Sequence, residues 1–111
     1  MNVVSHAPAD VTCIATLTTL DMEHSWFENS DSGHSDGVSP LATFKIAEPM
    51  PFTDRPVRIL FKYQASEDSA ASPNESDIGR KFSFQVPESF LKGESNVIDN
   101  SNVRQLRKVE P

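Results

Sequence analysis

Arg55-Pro-Val-Arg-Ile-Leu-Phe-Lys-Tyr-Gln64 is the stretch whose reading decides the fold. Val57, Ile59, Phe61 and Tyr63 fall at every second position, with Arg58, Lys62 and Gln64 between them. That is the period of a β-strand with one face on a core and one in water. Leu60 interrupts the polar face and hints that this second face is also partly covered. Lys81-Phe-Ser-Phe-Gln-Val86 repeats the alternation, with Phe82, Phe84 and Val86 inward. These two runs are expected to pair at the centre of an antiparallel sheet.

Upstream, Val11 to Leu20 is rich in β-branched residues and reads as another strand, with Val11, Cys13, Ala15 and Leu17 on one face. Beyond Thr18 the apolar set changes phase to Leu20, Met22, His24 and Trp26, which predicts a β-bulge or a crossing between sheets. Residues 28–40 are polar, contain Gly33 and Gly37 and end in Pro40, so they read as a connection. Leu41 to Ala47 is a short strand with Ala42, Phe44 and Ile46 inward. Residues 65–79 form a second long polar connection. Pro87 to Gly93 is one helical turn, with Phe90 and Leu91 plugging the core. Residues 94–102 are polar, and Val103 to Val109 reads as a basic edge strand. The resulting expectation is an all-β protein: residues 1–9 a flexible arm, and residues 10–111 a single domain. Its architecture is a small antiparallel two-sheet sandwich or open barrel of about six strands with one short helical turn.

Composition narrows the function. The chain has 111 residues, an apolar content of 37% and a net charge of −6. Residues 1–44 hold six acids (Asp10, Asp21, Glu23, Glu28, Asp31 and Asp36) and neither Lys nor Arg, so the whole imbalance lies there. A general polyanion binder would carry the opposite charge, which argues against a nucleic-acid partner. No apolar run approaches the ~20 residues of a membrane helix. Cys13 is the single cysteine, and a reducing, cytoplasmic setting is the expectation. The spacing of His6, His24, His34 and Cys13 matches no metal site, and Asn29, Asp31, Ser35 and Asp36 lack the ordered pattern of a calcium loop. No cofactor is implied.

Asp31-Ser32-Gly33 resembles the Asp-Ser/Thr-Gly triplet of aspartic proteases, and Ile78-Gly79-Arg80 is similar to an element of their retroviral members. The resemblance implies a small dimeric all-β protease using Asp31. The triplet here follows Glu-Asn-Ser rather than an apolar strand, which leaves its carboxylate solvated, and no glycine-rich flap separates the two elements. Asp31 to Asp36 also resembles a phosphorylated degron, and Ser72-Pro is kinase-like, which marks Ser32, Ser35 and Ser72 as a modification loop. Trp26, Phe27 and Tyr63 offer stacking surfaces for a carbohydrate or small ligand.

The leading expectation is a non-enzymatic interaction module: an adaptor, inhibitor or assembly subunit. Arg58, Lys62 and Lys81 are expected to form one exposed basic patch, and Asp21 and Glu23 an acidic one. The partner is then another protein or another copy of this one. Far-UV circular dichroism should show β-structure with little helix; a helix content above about a quarter would contradict the periodicity.

Overall fold

The computed structural model describes residues 10–31, 33–64 and 71–109. The all-β expectation holds. Six strands share one mixed sheet: β1 (Asp10–Ser30), β2 (Gly33–Glu48), β3 (Pro56–Leu60), β4 (Lys81–Pro87), β5 (Val97–Asp99) and β6 (Arg104–Lys108), in the order β5-β3-β2-β1-β4-β6. A one-turn helix, α1 (Glu88–Lys92), follows β4 and is closed by Gly93. The expected arm at residues 1–9 lies outside the described residues.

Three features depart from the sequence reading. The two most regular strands, β3 and β4, do not pair, because β2 and β1 lie between them. Their alternation reports a buried face and carries no information on neighbours. Second, residues 28–30 and 33–40 belong to β1 and β2, and the chain reverses between the paired Ser30 and Gly33. Polar composition suggested a loop, but a hairpin needs only backbone pairing, and two-residue turns are its shortest closure. Third, β5 runs parallel to β3, so the sheet is mixed; this three-residue strand is too short to show a period.

The phase slip at Thr18 is a register shift between Leu17 and Thr19, as expected. Two more shifts in the same ladder, between Ile14 and Ala15 and between Asp21 and His24, left no clear mark in the sequence. The last one turns His24 and Trp26 to the face opposite Leu20.

One face of the sheet builds the core. Cys13, Ala15 and Leu17 of β1, Phe44 and Ile46 of β2, Val57 and Ile59 of β3, and Phe82, Phe84 and Val86 of β4 are buried there. Phe44 meets Phe82 and Phe84 edge to face, with ring centroids 5.4 Å apart in both pairs. Such contacts add about 0.5–1.5 kcal/mol each beyond the area they bury. Leu91 plugs the core from α1, with Phe90 packed beside it, as the sequence reading expected. The Arg55 guanidinium holds the exit of that turn, its Nη2 donating to the carbonyls of Gly93 (2.9 Å) and Ser95 (3.1 Å).

The second half of the long polar connection expected at 65–79 is tied down; residues 65–70 lie outside the described residues. Pro73 and Asp77 are buried. Asp77 accepts from the Asn74 backbone N–H at 3.0 Å and from Lys108 of β6 at 3.2 Å. Gly79, at φ +93°, and Arg80 then extend the pairing of β4 to β1, bonding Leu17 from both sides.

The Asn74 hydrogen bond first, and the Lys108 ammonium second, hold the Asp77 carboxyl below its ordinary pKa. A depressed folded-state pKa contributes stability that is present above the unfolded-state value and is lost as pH falls through the folded one. Acid titration below pH ~4 should therefore weaken the tie between this segment and β6. Amide exchange of β6 should rise in Asp77→Asn at neutral pH, and the variant should lose the acid-dependent part of that rise. Equal β6 exchange in both proteins at pH 7 would refute the tie.

Candidate functional site

Beyond Asp21 the β1–β2 hairpin leaves the core and continues as a two-stranded arm, with His24 opposite Ser39, Trp26 opposite Gly37, Phe27 opposite Asp36 and Asn29 opposite His34. A free two-stranded ribbon is marginal in water. This one is latched on one face. Lys62, just past the end of β3, forms an ion pair with Glu28 and lies 4.3 Å from the centroid of the Trp26 ring. The Trp26 indole N–H donates to Ser39 Oγ at 3.0 Å. The ring packs against Gly37, where a Cβ would sit 2.7 Å from it. The Lys62 side chain is only 7% exposed. Neighbouring side chains cover it, yet it stays near the surface, so it keeps its charge at modest desolvation cost. The Glu28 hydrogen bond, opposed by partial burial and aided by Asp99, raises the Lys62 pKa above the ordinary lysine value.

The base of the latch is set from the β5 side of the sheet. Asn100, fully buried, donates from Nδ2 to the Tyr63 carbonyl at 2.9 Å and accepts the Tyr63 N–H at Oδ1, 3.2 Å. A residue of an antiparallel neighbour would make the same exchange. One side chain thus satisfies the Tyr63 backbone beyond the end of β3 and fixes the chain that carries Lys62. Leu41 and Leu60, paired across β2 and β3, are buried on this outer face and outside the main core cluster. The hint from Leu60 that the second face is covered was correct.

The opposite side of the arm is bare. Phe27 is 61% and Val38 60% exposed, and Phe27 stacks on His34 with ring centroids 5.5 Å apart. Around them stand Glu23, Asp31 and Asp36, all exposed.

The residues singled out in the sequence fall as follows. Lys62 is spent on the arm and does not belong to an exposed patch with Arg58 and Lys81. Those two do share the outward face, since Arg58 pairs with Thr43 and Lys81 with Thr16, but β2 and β1 separate them. Lys45, unremarked in the sequence, pairs with Thr16 from the other side and stands between them. Asp21 and Glu23 are exposed at the last register shift, Asp21 lying 3.5 Å from His24. Asp31 is exposed at the arm's tip, with no strand over it. Trp26 and Phe27 project to opposite sides of the arm, so with Tyr63 they make no single stacking platform. Ser35 is exposed, Ser72 is half-buried and bonded to the Pro73 carbonyl, and Ser32 lies outside the described residues. Burial pushes the Cys13 thiol up to about 11, which leaves it protonated and inert at neutral pH. Among the described residues no group of acids, His and Cys is placed to hold a metal, and no helix is long and apolar enough to cross a membrane. No protein-family model, curated protein or solved structure matches the chain.

Trp26 is the only tryptophan, so its fluorescence reports on the latch alone. Because the Lys62 pKa is raised, the latch contributes fully below the unfolded-state lysine value and is lost as pH climbs through the folded one. Trp26 emission should hold steady from pH 7 to the lysine range and shift to the red only in stronger alkali. Lys62→Ala should give that red shift at pH 7, with a loss of global stability of ~1 kcal/mol. An unshifted spectrum in Lys62→Ala would show that the ring is held without the lysine.

Proposed function

We propose that this chain is a non-enzymatic protein-interaction module, an adaptor, inhibitor or assembly subunit, that engages its partner through the projecting β1–β2 arm. The observation that carries this reading is the pairing of a latched face with a bare one. Lys62, Glu28, Trp26 and Ser39 hold the ribbon in place, and the held ribbon presents Phe27 and Val38 to water. An aromatic and a branched aliphatic side chain kept exposed on a pre-organised element bury little in the fold that bears them. They do supply what an interface needs: apolar anchors rimmed by charge, at little ordering cost on binding. Glu23, Asp31 and Asp36 around them select a partner surface that is basic. The site lies in the protein's acidic part, which also disfavours nucleic acid as the partner. The lone, buried Cys13 suits a reducing setting, and we place the protein in the cytoplasm.

The test is an affinity capture from the source cell with quantitative mass spectrometry. It uses the wild type and the variant Phe27→Ser/Val38→Ser, whose changes lie outside the core and should leave stability within ~0.5 kcal/mol. Proteins retained by the wild type should be depleted at least ~10-fold by the variant, as expected when central apolar anchors are removed. Identical capture by both would discard the arm as the binding element.

A further inference from the structure

We infer that the surface recognised by the acidic arm is the outer sheet face of a second copy of this chain. The inference rests on the arm being the binding element and adds the identity of what it binds. The outward face of the sheet carries Arg58 on β3, Lys45 on β2, Lys81 on β4, and Arg104 and Arg107 on β6, the last two opposite the outward-facing Gln85 and Ser83. Between them lie Thr12, Ile14, Thr16, Thr43, Ser83 and Gln85, none of them charged. Asp54 stands 3.5 Å from Lys45 and Asp10 stands 3.9 Å from Arg104, while Glu48, Asp99 and Asp21 lie at the margins of the face, opposite Ile14, Leu60 and Leu41. Arg58, Lys81 and Arg107 have no carboxylate within ion-pair distance among the described residues.

Arm and face match in sign and in size. From His24 to Ser30 the arm is about 23 Å long at ~3.3 Å per residue. From β3 to β6 the basic face spans four inter-strand spacings, about 19 Å. Two arms cannot pair with each other, because each brings Glu23, Asp31 and Asp36 and no cation of its own. Two faces bring together the same unpaired cations, Arg58, Lys81 and Arg107, without a free carboxylate cluster among the described residues to meet them. Self-recognition is left with one contact, arm on face: exchanged reciprocally it closes a two-fold dimer, and passed from copy to copy it generates a ring or an open chain. Partial neutralisation of charge in the contact makes it salt-sensitive.

A charge swap on the full chain tests this. One variant reverses the face, Lys45→Glu/Lys81→Glu, and the other reverses the arm, Glu23→Lys/Asp36→Lys; circular dichroism checks that each is folded. Sedimentation velocity at low salt should show the wild type associating with rising concentration and dissociating on added salt. Each variant alone should associate at least ~10-fold more weakly, and an equimolar mixture should regain association, since each arm then meets a face of opposite sign. If a reversal variant fails to fold, Lys45→Gln/Lys81→Gln should still weaken association and flatten its salt dependence. A wild type that stays monomeric at all concentrations in low salt, or a mixture no more associated than its parts, overturns the inference. If the wild type is monomeric but capture of other proteins still depends on Phe27 and Val38, self-docking alone falls. Loss of both removes the arm as a binding element.

Discussion

A strand of 21 residues is longer than the core it crosses, and most of the architecture answers that constraint. At ~3.3 Å per residue β1 would run about 70 Å if straight, roughly twice the width of a domain this size. The β1–β2 ladder is broken by three register shifts instead, and each bends and twists the ribbon. The hairpin therefore does two jobs in succession. Its lower half is the centre of the sheet, with Cys13, Ala15, Leu17, Phe44 and Ile46 facing the core. Its upper half is an arm that the core no longer reaches, and stability there has to come from Lys62, Trp26 and the Asn100 amide.

The two halves are held by different physics. In the lower half burial dominates: Phe44 between Phe82 and Phe84 is the kind of contact whose truncation costs about 3–5 kcal/mol. In the upper half the terms are a cation over an indole ring, one ion pair and one hydroxyl-to-indole hydrogen bond, each on the order of 1 kcal/mol. Local opening of the arm is accordingly much cheaper than global unfolding, and the arm can adjust to a surface without disturbing the sheet.

The core was legible in the sequence because its signal is local. Alternation at Val57, Ile59 and Phe61, at Phe82, Phe84 and Val86, and at Ala42, Phe44 and Ile46 marks each buried face within a few residues. Which strands are neighbours is a long-range property. The alternation of β3 and β4 could not reveal that two others lie between them, so the predicted basic patch had the right face for Arg58 and Lys81 and the wrong partner in Lys62. The arm was illegible for a related reason. Residues 28–40 have no apolar period because no core lies beneath them, and a strand without a buried face looks like a loop. The one available clue was Trp26 eleven residues before a glycine, and that spacing acquires meaning only once the turn at Asp31 is placed. Asn100 was equally hidden, since a side chain that stands in for a strand residue leaves no pattern.

Gly37 gives the arm its alignment. Pairing in a polar ribbon is weakly specified, because a slip by two residues keeps every side chain on its own face and replaces one polar pair by another. Only one position opposite Trp26 lacks a Cβ, and the indole fills that vacancy closely enough that any side chain there would push it away. A slipped hairpin would set the ring against Ser35 or Ser39, break the indole–hydroxyl bond and carry Glu28 out of reach of Lys62. The bulkiest and the smallest side chains of the arm thus act as a key and its slot. They set which residue faces which along the whole ribbon, and with that the position at which Phe27 and Val38 meet whatever the arm touches.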